Sequence, residues 1–303
     1  MSIQTTSPAC PAELSKADIE LFWEQGYLAF ENLLTDDEVE ESKQAISDLV
    51  QGMYADLAAG RAKALSPNPG VPQNYGGMRL HKNDSSFWMQ FEASVEDPAS
   101  LSPEEAELRY RKLAGYVKEH TVFVNLISHP RVKGFVEQIL KTEATMFGDM
   151  ALSKPPHIGA EKPWHQDDAY FDYLPLESIV SAWIALDDAT EENGCMYTIR
   201  GAHRKGARKH VHGIDCQIEE GRLDLSRAIP VELKAGGAMF FSGMLPHQTP
   251  PNRSPHRRRA LQFQYRGSDT VKVDKEDYEK AFREPDGTAA TCWNAALEAK
   301  KDY

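Results

Sequence analysis

The chain has 303 residues, of which 41% are hydrophobic and 26% are charged, a composition that predicts a globular protein with a substantial core. The formal net charge of −12 disfavours nucleic acid as a partner, because most of such a surface repels a polyanion. No stretch approaches the roughly 18 consecutive apolar residues that cross a bilayer, so we expect no membrane span.

The first residues and the cysteines indicate the cellular compartment of the protein. The first 15 residues are polar, without the basic and then apolar pattern of a signal peptide, and they predict a disordered tail. The four cysteines are widely scattered: Cys10, Cys195, Cys216 and Cys292. Their spacing gives no sign of a disulfide framework, so a reducing, cytoplasmic location is favoured.

The first part of the chain predicts helices. Ser15 and Asp18 have the spacing of a capping box ahead of apolar residues at helical intervals. Thr35 and Glu38 repeat this pattern before a longer amphipathic run. Two further helices are predicted over 102–120 and 129–141.

Residues 61–100 interrupt this helical region. They are rich in Pro, Gly, Asn and Ser and show no sustained periodicity, so they predict a long loop. Loops of this length in compact enzymes are often lids or binding loops.

From about residue 144 the pattern changes to short apolar or alternating runs, separated by Gly, Pro, Asn and Asp. These runs occupy 144–154, 177–189, 194–201, 228–243 and 259–267. They are typical of a sandwich or barrel of short strands. We therefore predict a mixed α+β fold in a single domain over 1–303. Its parts are a helical region at about 15–140, a β core at about 144–268 and a C-terminal tail at 269–303.

The stretch "EKPWHQDDAY" contains a candidate metal site. In an extended chain alternate side chains point the same way, so His165 and Asp167 can face one ion. Two histidines and one carboxylate commonly hold Fe(II) in oxygen-activating sites, with positions left open for other ligands. His247 is the best candidate for the second histidine, because it lies between two predicted strands. A lone His-x-Asp is weak evidence for a metal site. Trp183, 18 residues after His165, and Arg258, 11 residues after His247, strengthen that evidence.

These motifs together resemble the phytanoyl-CoA dioxygenase family of Fe(II)- and 2-oxoglutarate-dependent oxygenases. The similar stretches are "FWEQGYLAFENLLTDDEVEE", "PWHQDDAYF", "WIALDDATEENGCMYTIRGAH" and "PHQTPPNRSPHRRRAL". The resemblance implies a double-stranded β-helix, a cupin-like jelly roll, with N-terminal and flanking helices. This agrees with the helical and then β pattern.

The resemblance also implies a set of functional residues. His165, Asp167 and His247 would hold Fe(II) as the catalytic metal. Arg258 would bind the distal carboxylate of 2-oxoglutarate, a role that suits a planar guanidinium with several fixed donors. Thr249 would hydrogen-bond the same carboxylate, at a position where the family usually has serine.

Two further positions match residues that line the cosubstrate pocket in the family, Gln166 and Trp183. The implied reaction uses O2 and 2-oxoglutarate to hydroxylate an unactivated C–H bond of a small organic substrate, with release of succinate and CO2. Related halogenases lack the ligand carboxylate, so Asp167 favours oxygenation. Substrate specificity is expected to lie in 61–100, in the segment after Asp168 and in 205–226.

Several alternatives remain open. Asp168 would replace Asp167 as the ligand if the segment is not extended. Arg257 and Arg259 would face inward instead of Arg258 if the strand register is shifted by one residue. The chain could also be a catalytically silent ligand-binding protein, or a cupin-like metalloenzyme that does not use 2-oxoglutarate. The sequence does not indicate the oligomeric state.

Other histidines and basic stretches have less specific interpretations. His210 and His212, with Asp215 nearby, form a second metal-like pattern, but their basic context favours an exposed loop. His203 is expected to make structural hydrogen bonds or to line the pocket mouth. The cations in 200–210 and 252–259 could steer an acidic substrate or could be solvated loops.

Overall fold

A computed structural model describes residues 7–66, 77–213 and 215–293. Three predictions fall at least partly outside these ranges. They concern the first six residues, most of the Pro-rich stretch at 66–77 and the end of the C-terminal tail. The α-helices are α1 (Lys16–Gln25), α2 (Asp36–Ala58), α3 (Pro103–Glu107), α4 (Thr121–Leu126), α5 (Pro130–Leu140) and α6 (Lys275–Ala281).

The strands form a longer series. They are β1 (Tyr27–Phe30), β2 (Ala62–Leu65), β3 (Arg79–Lys82), β4 (Trp88–Phe91), β5 (Tyr110–Ala114), β6 (Ala144–Lys154), β7 (Lys162–His165), β8 (Tyr173–Leu174), β9 (Ile179–Ala185), β10 (Met196–Thr198), β11 (His210–His212), β12 (Cys216–Ile218), β13 (Ile229–Val231), β14 (Ala238–Ser242), β15 (His247–Thr249), β16 (Arg258–Gly267) and β17 (Val271–Lys272).

The predicted helix starts at α1 and α2 are confirmed. Ser15 and Asp18 cap α1 reciprocally, and Thr35 and Glu38 cap α2 in the same way. Each box satisfies backbone N–H groups that have no partner within the helix. The helix predicted over 129–141 is also confirmed as α5.

Two predictions for 61–120 are wrong. The predicted helix over 102–120 ends as α3 at Glu107, and residues 110–114 form β5 between β4 and β6. Strand pairing with residues distant in sequence has overridden the local helical spacing. The predicted long loop contains β2, β3 and β4, each four residues long and too short to show a clear alternation.

The strands form two principal antiparallel sheets. The larger has nine strands in the order β1-β14-β9-β16-β6-β5-β4-β3-β2, and the smaller has four in the order β13-β10-β15-β7. Phe241 and Ala260 of the large sheet pack with Met196 and Val231 of the small sheet in one core. The result is the expected jelly roll, in which β2 to β5 extend the large sheet.

Helices cover the outer face of the large sheet. A second core joins α2 and α5 to that face, as in the packing of Phe135 against Phe240 with ring centroids 5.5 Å apart. Among the described residues, no helix is long and apolar enough to cross a bilayer.

The C-terminal segment packs against the 166–170 region. Tyr278 of α6 lies in a small core with Ala169 and Met244, and its hydroxyl donates to the carbonyl of Asp168 at 2.7 Å. A disulfide joins Cys216 to Cys292. The expectation of no disulfide was therefore wrong for this pair, because the fold brings together two cysteines 76 residues apart in sequence.

Candidate functional site

The fold brings His165, Asp167 and His247 together. His165 ends β7 and lies opposite His247 at the start of the neighbouring strand β15. Gln166 remains extended, and Asp167 then begins a short 3-10 helix over Asp167–Tyr170. The alternation predicted for His165 and Asp167 thus places both side chains beside His247.

The ligand atoms of this triad converge. The carboxylate Oδ1 of Asp167 lies 3.5 Å from Nε2 of His165 and 3.7 Å from Nε2 of His247. One ligand atom from each residue lies within 4.8 Å of the others, and all three side chains are buried. This arrangement can hold one metal ion.

Backbone carbonyls fix the orientation of both imidazoles. Nδ1 of His165 lies 2.8 Å from the carbonyl of Pro163, and Nδ1 of His247 lies 2.9 Å from that of Leu245. A carbonyl can only accept, so we assign the proton to Nδ1 in each ring. Nε2 is then left with its lone pair toward the centre of the triad.

The charge states also suit a metal. Burial lowers the pKa of His165 to about 3, with further contributions from His247 and Lys162, and burial lowers the pKa of His247 as well. Burial alone would raise the pKa of the Asp167 carboxyl, but hydrogen-bond donors around it, among them the Gln264 amide, hold it below its usual value. Two neutral imidazoles and one carboxylate are the result.

The other carboxylate oxygen of Asp167 is held by residues that the sequence analysis missed. Oδ2 accepts hydrogen bonds from Ser181 at 3.0 Å, Gln262 at 3.0 Å and Gln264 at 3.3 Å. Gln262 and Gln264 share the parity of Arg258 on β16, so the alternation of "RALQFQYR" could have indicated them. Ser181 carries no comparable signal.

A cavity opens beside the triad, and Arg258 lines it together with His165, Asp167 and His247. Arg258 is 1% exposed, and its Nη2 donates to the carbonyl of Gly194 at 3.1 Å. Its Nε and Nη1 have no partner among the described residues, and its guanidinium lies 5.3 Å from the ring of Trp183. Burial lowers the pKa of Arg258 to about 10, so it remains a cation at neutral pH.

The neighbouring arginines face elsewhere. Arg257 pairs with Glu107 at 3.1 Å, and Arg259 forms two hydrogen bonds with the carboxylate of Asp187 at 2.9 Å. The register therefore directs Arg258 inward. Asp168 is also separated from the triad, since its carboxyl lies against Gly243 and burial raises its pKa to about 8.

The cavity at the triad contains Trp183 and Thr249 but not Gln166. Besides the triad and Arg258, it is lined by Arg111, Lys112, Met150, Leu152, Ser153, Lys154, Ala160, Lys162, Trp183, Met196, Asp215, Thr249 and Gln262.

Gln166 has a structural placement. Its amide donates to the carbonyls of Gly206 and Met244 and accepts from the backbone N–H of Arg208. This placement does not match the prediction that Gln166 lines the cosubstrate pocket, because its side chain turns toward the loop before β11.

His210 hydrogen-bonds to the backbone of Gln166, the residue between the candidate ligands His165 and Asp167. Its Nε2 accepts from the backbone N–H of Gln166 at 3.1 Å, while its Nδ1 lies 2.7 Å from the carbonyl of Arg208. His210 is buried, in contrast to the exposed loop expected for it. Asp215, from the same predicted pattern, pairs with Lys162 at the cavity.

His203 does not line the cavity at the triad, and Arg258 is the one residue of the two basic stretches that does. His203 is buried, and its Nε2 lies 3.2 Å from the carbonyl of Trp23, the structural role expected for it. Several cations of 200–210 and 252–259 pair with acids, as Lys209 does with Glu219 at 3.1 Å. Four of the five Lys and Arg side chains that line the cavity belong instead to strands β5, β6 and β7.

The donor set fits Fe(II) together with an organic acid. Two imidazoles and one carboxylate are the residue types that commonly hold Fe(II) in oxygen-activating sites. Arg258 lines the same cavity with two guanidinium nitrogens that have no partner among the described residues, and a guanidinium matches a carboxylate.

Solved structures share this fold. The "non-heme alpha ketoglutarate dependent carbocyclase SnoK from nogalamycin biosynthesis" superposes with a TM-score of 0.60 at 19% identity, covering 88% of this chain and 89% of that one. EvdO2 from Micromonospora carbonacea var. aurantiaca, complexed with 2-oxoglutarate, superposes with a TM-score of 0.59 at 21% identity, covering 88% and 96%.

Sequence comparison identifies relatives over most of the chain. "Phytanoyl-CoA dioxygenase domain-containing protein 1" of Rattus norvegicus is 27% identical over 261 residues, covering 82% of this chain and 89% of that protein. "Phytanoyl-CoA dioxygenase" of Arabidopsis thaliana is 25% identical over 278 residues, covering 90% and 96%. The family model "Phytanoyl-CoA dioxygenase (PhyH)" matches residues 22–260. The chain therefore belongs to the phytanoyl-CoA dioxygenase family.

Proposed function

We propose that this chain is an Fe(II)- and 2-oxoglutarate-dependent oxygenase that hydroxylates an unactivated C–H bond of a small organic substrate. The observation that carries the proposal is the buried triad of His165, Asp167 and His247 in a cavity that also contains Arg258. Bound there, iron with 2-oxoglutarate would supply O2 activation and C–H oxidation, with succinate and CO2 as coproducts.

The residues of the chain would position the reactants. His165, Asp167 and His247 would hold the metal, and Arg258 would bind the distal carboxylate of 2-oxoglutarate, aided by the hydroxyl of Thr249. Trp183 packs beside Arg258 and would form a wall of the cosubstrate pocket. The apolar lining, including Met150 and Leu152, would keep water from the site.

The retained carboxylate supports oxygenation over halogenation. Asp167 Oδ1 lies beside both Nε2 atoms, at the position that a halide would need. The solved neighbours include enzymes described as a carbocyclase and an epimerase, so the fold alone does not select hydroxylation.

Anaerobic Fe(II) titration and succinate formation test this function. We expect wild type to bind about one Fe(II) and to form succinate from 2-oxoglutarate and O2, slowly without substrate and faster when a metabolite screen supplies one. Asp167→Ala should lose both properties. Unchanged iron affinity in Asp167→Ala would refute the metal site.

Isotope labelling tests the reaction outcome. A hydroxylated product should carry one oxygen atom from 18O2, whereas a cyclisation product would carry none. Iron binding without any succinate would favour the catalytically silent alternative. Substrate oxidation without 2-oxoglutarate would favour the cupin-like alternative.

A further inference from the structure

Lys154 and Arg258 are two buried basic side chains at paired positions. Lys154 ends β6 and Arg258 begins β16, and the antiparallel register places them directly opposite each other. Both line the cavity and both are at most 5% exposed. Residues so placed have Cβ atoms about 5 Å apart, and like charges there are destabilising.

Nothing in the described residues neutralises this pair at close range. Lys154 Nζ donates to the carbonyls of Ala160 at 2.5 Å and Thr249 at 3.3 Å, and Arg258 donates to that of Gly194. No carboxylate in the described ranges lies within 4 Å of either cation. Burial and the nearby charge of Arg258 hold the pKa of Lys154 well below its usual value, so an anion bound beside both groups would favour the protonated ammonium of Lys154.

Gly194 contacts both cations. Its carbonyl accepts from Arg258, and a Cβ at this position would lie 2.9 Å from Cδ of Lys154 and 2.4 Å from the carbonyl oxygen of Pro250. Its φ of +86° is also one that glycine adopts readily. The loop before β10 therefore holds the Lys154 stem and the Arg258 guanidinium in fixed positions.

We propose that Lys154 is a second cation for the distal carboxylate of 2-oxoglutarate, which it binds together with Arg258. This inference rests on the proposed function. Protonated beside a carboxylate, the Lys154 ammonium has three N–H donors, of which the two carbonyls use two. The third, with Nε and Nη1 of Arg258, gives three charge-assisted donors for one carboxylate.

A purely structural role for Lys154 makes a different prediction. Lys154 links the segment before β7 to β15 through its two carbonyl partners, and loss of that link alone would disturb the cavity for every ligand. A role toward the distal carboxylate would affect only ligands that carry it. 2-Oxopentanoate has the same five-carbon 2-oxo acid chain without the distal carboxylate and separates the two roles.

The experiment is an anaerobic titration of the Fe(II)-loaded full chain with each 2-oxo acid. We expect Lys154→Met to weaken 2-oxoglutarate binding by about ten- to hundredfold and to leave the weaker 2-oxopentanoate binding unchanged. Lys154→Arg should restore part of the affinity. Lys209→Met, which removes a lysine outside the cavity, should bind both ligands as wild type does.

The outcomes separate this inference from the proposed function. Equal weakening for both acids, or no weakening for either, would overturn the role of Lys154 while wild type still bound 2-oxoglutarate. Failure of wild type to bind iron or 2-oxoglutarate would overturn the proposed function itself. If Lys154→Met does not fold, Lys154→Gln keeps a donor without the charge and should show the same selective loss.

Discussion

Asp167 uses its two carboxylate oxygens for different tasks. Oδ1 faces both imidazoles, whereas Oδ2 accepts hydrogen bonds from Ser181, Gln262 and Gln264. The carboxylate cannot rotate without losing these donors. The ligand is therefore oriented before any metal binds, which lowers the cost of assembling the site.

Removal of one of these donors should weaken metal binding. We expect Gln262→Leu to lower Fe(II) affinity by about ten- to hundredfold, because the carboxylate loses orientation while all three ligands remain. Anaerobic Fe(II) titration measures the effect. Gln248→Leu is the matched control, since Gln248 adjoins His247 on β15 but does not line the cavity. Equal affinities in the two variants would contradict this role.

His210 should make the stability of the metal-free protein depend on pH. Burial lowers the pKa of His210 to about 4, below the ordinary value of 6.5. The unfolded chain therefore binds the proton more readily. The stability from neutral His210 is complete above about pH 6.5 and is lost as the pH falls toward 4.

The variant His210→Gln tests this effect. It should lessen the fall in the free energy of unfolding between about pH 6.5 and 4, by up to about 1.4 kcal/mol per pH unit. Urea unfolding at a series of pH values measures the slope. His256→Gln, at an exposed position, should keep the wild-type slope. An unchanged slope in His210→Gln would show that other groups control the acid response.

At the scale of elements, the register of β16 gives adjacent arginines different roles. Arg258 faces the cavity, and Arg259 faces the opposite side and pairs with Asp187. We expect Arg258→Ala to weaken 2-oxoglutarate binding strongly. Arg259→Ala should keep that affinity and lower the free energy of unfolding by about 1–3 kcal/mol. Ligand titration and urea unfolding of both variants measure the two effects, and the reverse pattern would indicate a shifted register.

The disulfide should stabilise the contact between the C-terminal segment and the β11–β12 hairpin. We expect two reactive thiols under denaturing conditions before reduction, from Cys10 and Cys195, and four after reduction. Cys292→Ser should lower the free energy of unfolding by about 2–4 kcal/mol, because the bond closes a long loop. Cys10→Ser is the control and should leave stability nearly unchanged. Four thiols in the unreduced protein would contradict the pairing.

Sequence predicts elements best where their signals are local. The capping boxes at Ser15 and Thr35 involve residues three apart, and both helix starts were predicted. β5 was not, because its strand conformation depends on pairing such as that of Lys112 with Leu152, 40 residues later. The disulfide was missed for the same reason.

At the scale of the whole molecule, the site depends on contacts between the two sheets. The sequence predicted the triad and Arg258 because each lies in a recognisable motif. It did not predict Ser181 or Lys154, because their roles arise only when β9 and β6 are placed beside β16. Residues whose role in a site depends on strand pairing cannot be recognised from the local sequence.

The metal should therefore stabilise the entire fold. His165 and His247 belong to the small sheet, while the carboxylate of Asp167 is bonded to Ser181 and Gln262 of the large sheet. An ion bound to all three ligands joins the two sheets and is lost on unfolding. At one hundred times its dissociation constant, such a ligand raises the free energy of unfolding by about 2.7 kcal/mol.

Thermal and urea unfolding with Mn(II), a redox-stable substitute for Fe(II), measure this linkage. We expect Mn(II) to raise the stability of wild type and 2-oxoglutarate to raise it further only when metal is present, because both share one site. Asp167→Ala should show neither increase, whereas Arg258→Ala should keep the metal effect and lose most of the 2-oxoglutarate effect. If Mn(II) stabilised Asp167→Ala as much as wild type, the ion would bind elsewhere and would not join the sheets through the triad.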